Sequence, residues 1–400
     1  MIKEISTAEL MPGMYIEKLN GNWQDHPFWR SSFKLKSQKE ISDIEKHGIK
    51  GVWINTDKGD DVCANPTVSD APEVASAAVK PTKVANVKPS LKQEISRARK
   101  ICESSKEAVT SMFQEARMGN AVNVEQAEPL VQEIAASVWR NPSALINVAR
   151  LKTQDDYTYM HSVAVCALMI ALGKEMGMSR EQVNEAGMGG LVHDMGKALM
   201  PLDVLNKPGK LTDDEFGIMK SHPVKGHEML LEGGGVGATA LDITLHHHEK
   251  VNGLGYPDKL SGDGISTYAR MGAICDVYDA ITSNRPYKDG WDPATSVKRM
   301  ASWEGHFDKT IFQSFIKSIG IYPVGSLVRL DSNKLGIVIE PGESSLLTPK
   351  VKVFYALKAR QTIPVTVVDL SLASCREKIV GVEDSARWGF KNLDEFWMED

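Results

Sequence analysis

The chain has 400 residues, 42% of them apolar and 25% charged, with a formal net charge of −5. That length allows two or three domains, and the composition is that of an ordinary globular protein. The acidic balance excludes a general attraction for nucleic-acid polymers, so a phosphate-bearing ligand has to be captured locally, by metals or a few placed cations.

Five cysteines (Cys63, Cys102, Cys166, Cys275 and Cys375) are scattered without C-x-x-C spacing. This argues against a disulfide framework or a cysteine zinc site and fits a reducing cytosol. The opening Met-Ile-Lys-Glu-Ile lacks a leader pattern, and the longest apolar run, Val163 to Leu172, is too short to span a bilayer. The expected location is cytoplasmic, with no membrane contact.

Residues 1–66 read as a small α/β domain with a regulatory use in view. Strand patterns occur at Gly13-Met-Tyr-Ile, Phe33-Lys-Leu-Lys and Gly51-Val-Trp-Ile-Asn, with helix composition over 37–47. Trp23, His26, Phe28 and Trp29 read as a minor core in preference to a ligand platform. Residues 67–90 are rich in Ala, Val, Pro, Thr and Lys without periodicity and read as a linker. Residues 91–152 read as three bracing helices, over about 91–118, 124–139 and 142–151. They are also candidates for a homodimer contact.

Residues 153–320 read as nearly continuous helix, an all-α bundle. Capping boxes are expected at Ser179-x-x-Gln182 and Thr212-x-x-Glu215, the second opening the helix that leads to His222. Over 321–400 the period switches from 3.6 to 2, with strands near 326–330, 335–339, 351–355 and 365–368. An antiparallel β unit is expected there, closed by an amphipathic helix whose Leu393, Phe396 and Trp397 pack on their own domain. The fold class is therefore multidomain α+β.

Chemistry concentrates in 153–320. The adjacent pair His193-Asp194 offers a nitrogen and a carboxylate to one region, and a carboxylate can bridge two metals. Its company is His161, His222, His247, His248 and Asp276, in a chain with only ten histidines. Such nitrogen and oxygen donors suit Mn, Fe, Ni, Co or Zn better than a soft thiolate site would. His246 is expected to be solvent-facing or structural, Glu249 to orient a ligand histidine from behind, and Asp279 to be an ion-pair partner.

The ordered set, with His193-Asp-Met-Gly-Lys197, Gly255-Tyr-Pro257 and Asn284-Arg-Pro-Tyr-Lys288, closely resembles the HD-GYP domain of the HD phosphohydrolase superfamily. Residues 1–66 resemble a small domain of unknown function often found ahead of it. The resemblance implies a metal-dependent phosphodiesterase that opens cyclic di-GMP to the linear dinucleotide pGpG and on toward GMP. One divalent metal would be held by His161, His193, Asp194 and Asp276, and the other by Asp194, His222, His247 and His248. Asp194 and Lys197 would carry the chemistry. Arg285 and Lys288 would hold the second phosphate or a guanine edge, with Gly255, Tyr256 and Pro257 shaping the pocket. Some family members hold a third metal with a glutamate at the position of Tyr157, so two metals are expected. A preference for 3'3'-cyclic GMP-AMP and a weakly active sensor of cyclic dinucleotides are the alternatives. GGDEF-type or other signalling proteins are candidate partners.

Overall fold

The switch from short alternating segments to long helical ones is mirrored in two compact units, residues 1–84 and 85–400. The computed structural model describes residues 2–7, 10–11, 13–19, 33–35, 41, 44, 51–60, 91–120, 122–151, 157–283, 290–342, 345–390 and 392–398. The expected linker, the Trp23–Trp29 cluster and most of the 37–47 helix lie outside these residues.

In the first unit, β1 (Ile2–Ser6), β2 (Tyr15–Leu19), β3 (Phe33–Lys34) and β4 (Gly51–Asn55) form an antiparallel sheet in the order β1-β4-β2-β3. Strand β1 was not expected. Met14, Ile16, Val52 and Ile54 are buried, together with Ile41 and Ile44 from the helical segment.

The second unit is built around the Tyr157–Glu175 helix, whose residues 160–173 are all buried. A helix apolar on every side has to be packed on every side. The bracing helices Leu91–Arg117, Glu128–Arg140 and Pro142–Arg150 share one continuous core with it. Glu94, fully buried on the first of these, accepts from Arg140 at 2.8 and 3.0 Å and from Ser137 at 2.9 Å. Both expected capping boxes form, at Ser179 and Thr212.

The second capped helix, Asp213–Met219, does not run on to His222. A turn intervenes, and His222 opens a new helix, His222–Gly233, with Pro223 in its first turn. Proline lacks an N–H for a continuing helix but fits a first turn, so the break falls where it does.

After the Lys309–Ile319 helix come β5 (Leu327–Leu330), β6 (Lys334–Glu340), β7 (Lys350–Ala356), β8 (Gln361–Asp369) and β9 (Ile379–Val382). They form an antiparallel sheet in the order β8-β7-β6-β5-β9. One face gives Leu327, Leu335, Ile337 and Phe354 to the helical core, while Val328, Leu330, Val338 and Val351 build a second cluster. Asp292 joins sheet to bundle: it caps the Pro293–Ala301 helix and accepts from the Leu327 amide at 3.0 Å. Trp397 of the last helix, Glu395–Met398, is buried in the same core. No helix among the described residues is long and apolar enough to cross a membrane.

Candidate metal centre

Helix ends converge on one buried point. His161 projects from the Tyr157–Glu175 helix, His193 and Asp194 end the Arg180–Val192 helix, and His222 begins its own. His247 and His248 end the Ala238–His246 helix, and Asp276 lies within Thr267–Thr282.

Glycine makes this convergence sterically feasible. A Cβ on Gly196 would lie 1.9 Å from the His222 carbonyl oxygen and 2.6 Å from the Gly226 nitrogen. The turn after Asp194 therefore lies directly on the chain that carries His222.

The seven side chains fall into two groups of donor atoms, Asp194, His222, His247 and His248 in one and His161, His193 and Asp276 in the other. Asp194 faces both. Its Oδ2 lies 3.4 Å from His161 Nε2 and 3.3 Å from His193 Nε2, and its Oδ1 lies 3.2 Å from His222 Nε2 and 3.8 Å from His247 Nε2.

Main-chain carbonyls fix which ring nitrogens face inward. His193 Nδ1 donates to the Gly190 oxygen at 2.8 Å, His222 Nδ1 to Met219 at 2.8 Å, and His247 Nδ1 to Thr244 at 3.0 Å. When these rings are neutral, each Nε2 is a lone pair. His222 Nε2 and His247 Nε2 nevertheless face each other at 3.4 Å, and His193 Nε2 and Asp194 Oδ1 are buried with no hydrogen-bond partner. Lone pairs gathered this closely are tolerated when a cation lies between them. The donor set fits divalent metal ions of the borderline class.

The electrostatics agree with that arrangement. Burial would raise the Asp194 carboxyl, but Lys197, His193 and His222 outweigh it and hold it well below the usual carboxylate range. Burial opposes ionisation of Asp276 too, and His161, His248 and His193 hold it well down. Burial and neighbouring histidines depress His247, and burial takes His248 down to about 3, so both present neutral rings. His161 goes the other way: burial would lower it, but Asp276 and Asp279 raise it. Lys197 Nζ reaches Asp194 Oδ2 at 2.5 Å while its side chain stays 23% exposed.

Residues 2–127 match a family described as a domain of unknown function (DUF3391), and residues 131–311 match one described as an HD domain. A cyclic di-GMP phosphodiesterase of Pseudomonas aeruginosa is 50% identical over 99% of this chain and 96% of its own length. This chain belongs to the HD-GYP family. Among other relatives, the cyclic di-GMP phosphodiesterase response regulator of Xanthomonas campestris is 36% identical over 50% of this chain and 57% of its own length. A 3'3'-cGAMP-specific phosphodiesterase of Vibrio cholerae is 32% identical over 44% of this chain and 40% of its own.

The HD-GYP triplet Gly255-Tyr256-Pro257 lies against the centre. The Tyr256 ring stacks on His248 with centroids 4.7 Å apart, and its amide donates to the His248 carbonyl. A Cβ on Gly255 would lie 2.4 Å from Glu249 Cα, so this loop too approaches through a glycine. Arg285 and Lys288 lie outside the described residues, as does the Tyr157 side chain.

Glu249 does not orient a histidine. Its Oε1 accepts from the Asp258 amide at 2.7 Å and its other oxygen is buried without a hydrogen-bond partner, so it pins the far end of the Gly-Tyr-Pro loop. Glu249 follows His248 where the chain has left the helix, so its side chain is free to reach forward along the loop. His246 is structural, held by Asp242 at 2.7 Å and Asp258 at 3.1 Å. Asp279 finds its ion-pair partner in His161, whose Nδ1 lies 2.6 Å from Asp279 Oδ2. The signal was available: Asp279 is one helical turn beyond Asp276, on the same face.

Proposed function

We propose that this protein is a metal-dependent phosphodiesterase that opens cyclic di-GMP to linear pGpG and on toward GMP, with two divalent transition-metal ions. The observation that carries the reading is Asp194, whose two carboxylate oxygens each face a different set of histidines within 3.2–3.8 Å. This is how a carboxylate that bridges two cations is set. The full-length similarity to the P. aeruginosa phosphodiesterase supports the choice of substrate.

In this reading His161, His193, Asp194 and Asp276 hold one ion, and Asp194, His222, His247 and His248 the other. When bound, such a pair activates water and neutralises charge on a phosphodiester. The chain's own residues do the rest. The Lys197 ammonium, partly exposed beside Asp194, holds a phosphoryl oxygen or gives a proton to the leaving oxygen. Tyr256 walls the pocket next to His248, and Arg285 and Lys288 hold the second phosphate.

A second reading, turnover of 3'3'-cyclic GMP-AMP, rests on the similarity to the V. cholerae enzyme. Product analysis with both cyclic dinucleotides on freshly metallated protein tests the two together. Linear pGpG forming faster than linear products of cyclic GMP-AMP is expected, and no turnover of either would overturn the enzymatic reading. Elemental analysis should approach two transition-metal equivalents per chain, and three would refute the two-metal count.

A further inference from the structure

We infer that Phe216, Lys220 and Tyr256 form a purine subsite beside the metal cluster, in which Lys220 donates to the O6 and N7 acceptors of a guanine. This rests on the cyclic-dinucleotide reading above.

Lys220 lies in the turn between the Asp213–Met219 and His222–Gly233 helices, two residues before His222. The turn is fixed by its own main chain: the Lys220 amide donates to Phe216 at 2.9 Å and the Ser221 amide to Ile218 at 3.0 Å. The Lys220 ammonium sits 4.6 Å from the centre of the Phe216 ring and 5.8 Å from that of Tyr256. Tyr256 in turn stacks on His248 of the cluster, so the aromatic contacts lead from the metal ligands outward to Lys220. Phe216 is 45% exposed, too much for a residue whose task is to fill a core.

Charge pairing separates this lysine from its neighbours. Lys197 is committed to Asp194 and Lys207 to Glu215 at 2.6 Å. Among the described residues, no carboxylate lies within ion-pair distance of the Lys220 ammonium. A cation over aromatic rings with no counter-charge is a donor awaiting acceptors, and the flat rings beside it suit a flat ligand. Guanine offers O6 and N7 as two acceptors on one edge, whereas adenine puts an amino donor where O6 would be. Stacking alone accepts either base, so the discrimination falls to Lys220.

The test compares wild-type, Lys220→Ala, Lys220→Arg and Phe216→Ala proteins, all full-length and metal-loaded, with elemental analysis as the control for the nearby His222. Cyclic di-GMP is assayed as substrate, and cyclic di-AMP for both turnover and competitive binding. Lys220→Ala should lower the preference for cyclic di-GMP over cyclic di-AMP about tenfold, mainly through KM. Lys220→Arg should restore the preference, since arginine meets the same guanine edge. Phe216→Ala should weaken both ligands in parallel. Losses on bis(p-nitrophenyl) phosphate, which has no purine, should be several times smaller throughout.

An unchanged preference in Lys220→Ala would overturn the subsite, and so would equal losses on both dinucleotides, which would mean that Lys220 answers to phosphate. Wild-type protein that turns over neither dinucleotide but binds cyclic di-GMP would remove the enzymatic reading while the binding comparison still judges Lys220. Wild-type protein that neither binds nor cleaves it would overturn both.

Discussion

Removing the Asp279 carboxylate should damage one half of the metal centre and spare the other. Asp279 touches none of the atoms proposed to hold metal. It accepts from His161 Nδ1 at 2.6 Å and from Ser283 Oγ at 3.2 Å, with His161 and Asp279 each only 2% exposed. Because Nδ1 is held, His161 Nε2 points at Asp276 Oδ1, 3.0 Å away. Losing a partner of this kind typically costs about 10–100-fold in metal affinity or activity. Asp279→Ala should fall in that range. Asp279→Asn keeps an acceptor but not its charge. A charge-assisted bond contributes about 1.5–3 kcal/mol and a neutral one about 0.5–1.5, so the amide should cost on the order of fivefold to tenfold. The assay is competitive metal titration against a chelator, with kcat measured at saturating metal. One equivalent should weaken, while the ion held by His222, His247 and His248 stays tight. An Asp279→Ala protein that binds both equivalents with wild-type affinity and keeps kcat/KM within about twofold would refute this reasoning.

Asp194→Ala should lose both equivalents and all measurable turnover, and retained metal in that variant would take Asp194 out of the centre. Gly196→Ala drives a methyl group into the His222 carbonyl, 1.9 Å from where its Cβ would sit, so Tm should fall by the equivalent of at least about 1–3 kcal/mol and metal content should drop with it. Glu94 tests the brace: burial would raise its carboxyl, but Arg140, Ser137 and Arg97 outweigh that and lower it. A lowered folded pKa gives stability that is present above the unfolded value, near 4.3, and lost as pH falls through the folded one. Glu94→Gln should therefore cost about 1–2 kcal/mol at pH 7, the low end because Arg140 is 36% exposed and screened. Its deficit against wild type should close as pH falls from the unfolded value through the lower folded one, and a gap that persists below both would assign the loss to packing. Arg285→Ala should raise KM for cyclic di-GMP about tenfold to a hundredfold with metal content intact, and should be nearly silent on a mononucleotide phosphodiester.

Much of this is legible in the sequence, because metal-ligating and helix-capping patterns are written in residue identity. His193-Asp194 with Lys197 and Gly196, the two capping boxes and the apolar helix 157–175 all carry their meaning locally. Other features do not. Strand β1 has its isoleucines at 2 and 5, out of step with a two-residue period, and is a strand only because β4 pairs with it. Strand β9 holds Gly381 at its middle, which weakens any strand pattern, and it is secured by β5. The break before His222 was signalled by Pro223, but the capped helix ahead of it masked the signal. Glu249 and Lys220 depend on which loop folds over which turn, and sequence neighbours say nothing about that.

The main-chain anchoring of the histidines makes the centre unevenly robust to mutation. His193, His222 and His247 are each oriented by a carbonyl of their own preceding turn, which every amino acid supplies. Substitutions at Met219 or Thr244 leave that acceptor in place for as long as the helix end holds, whereas a Cβ on Gly190 would lie 3.0 Å from Cys166 Cα and press on the Tyr157–Glu175 helix. His161 is different, since its Nδ1 leans on the side chain of Asp279, 118 residues away in the chain. Random mutagenesis scored for metal loss should therefore find Asp279 as a supporting position with an effect close to that of a ligand. The other three histidines should tolerate drift around them, failing only where backbone geometry itself is broken.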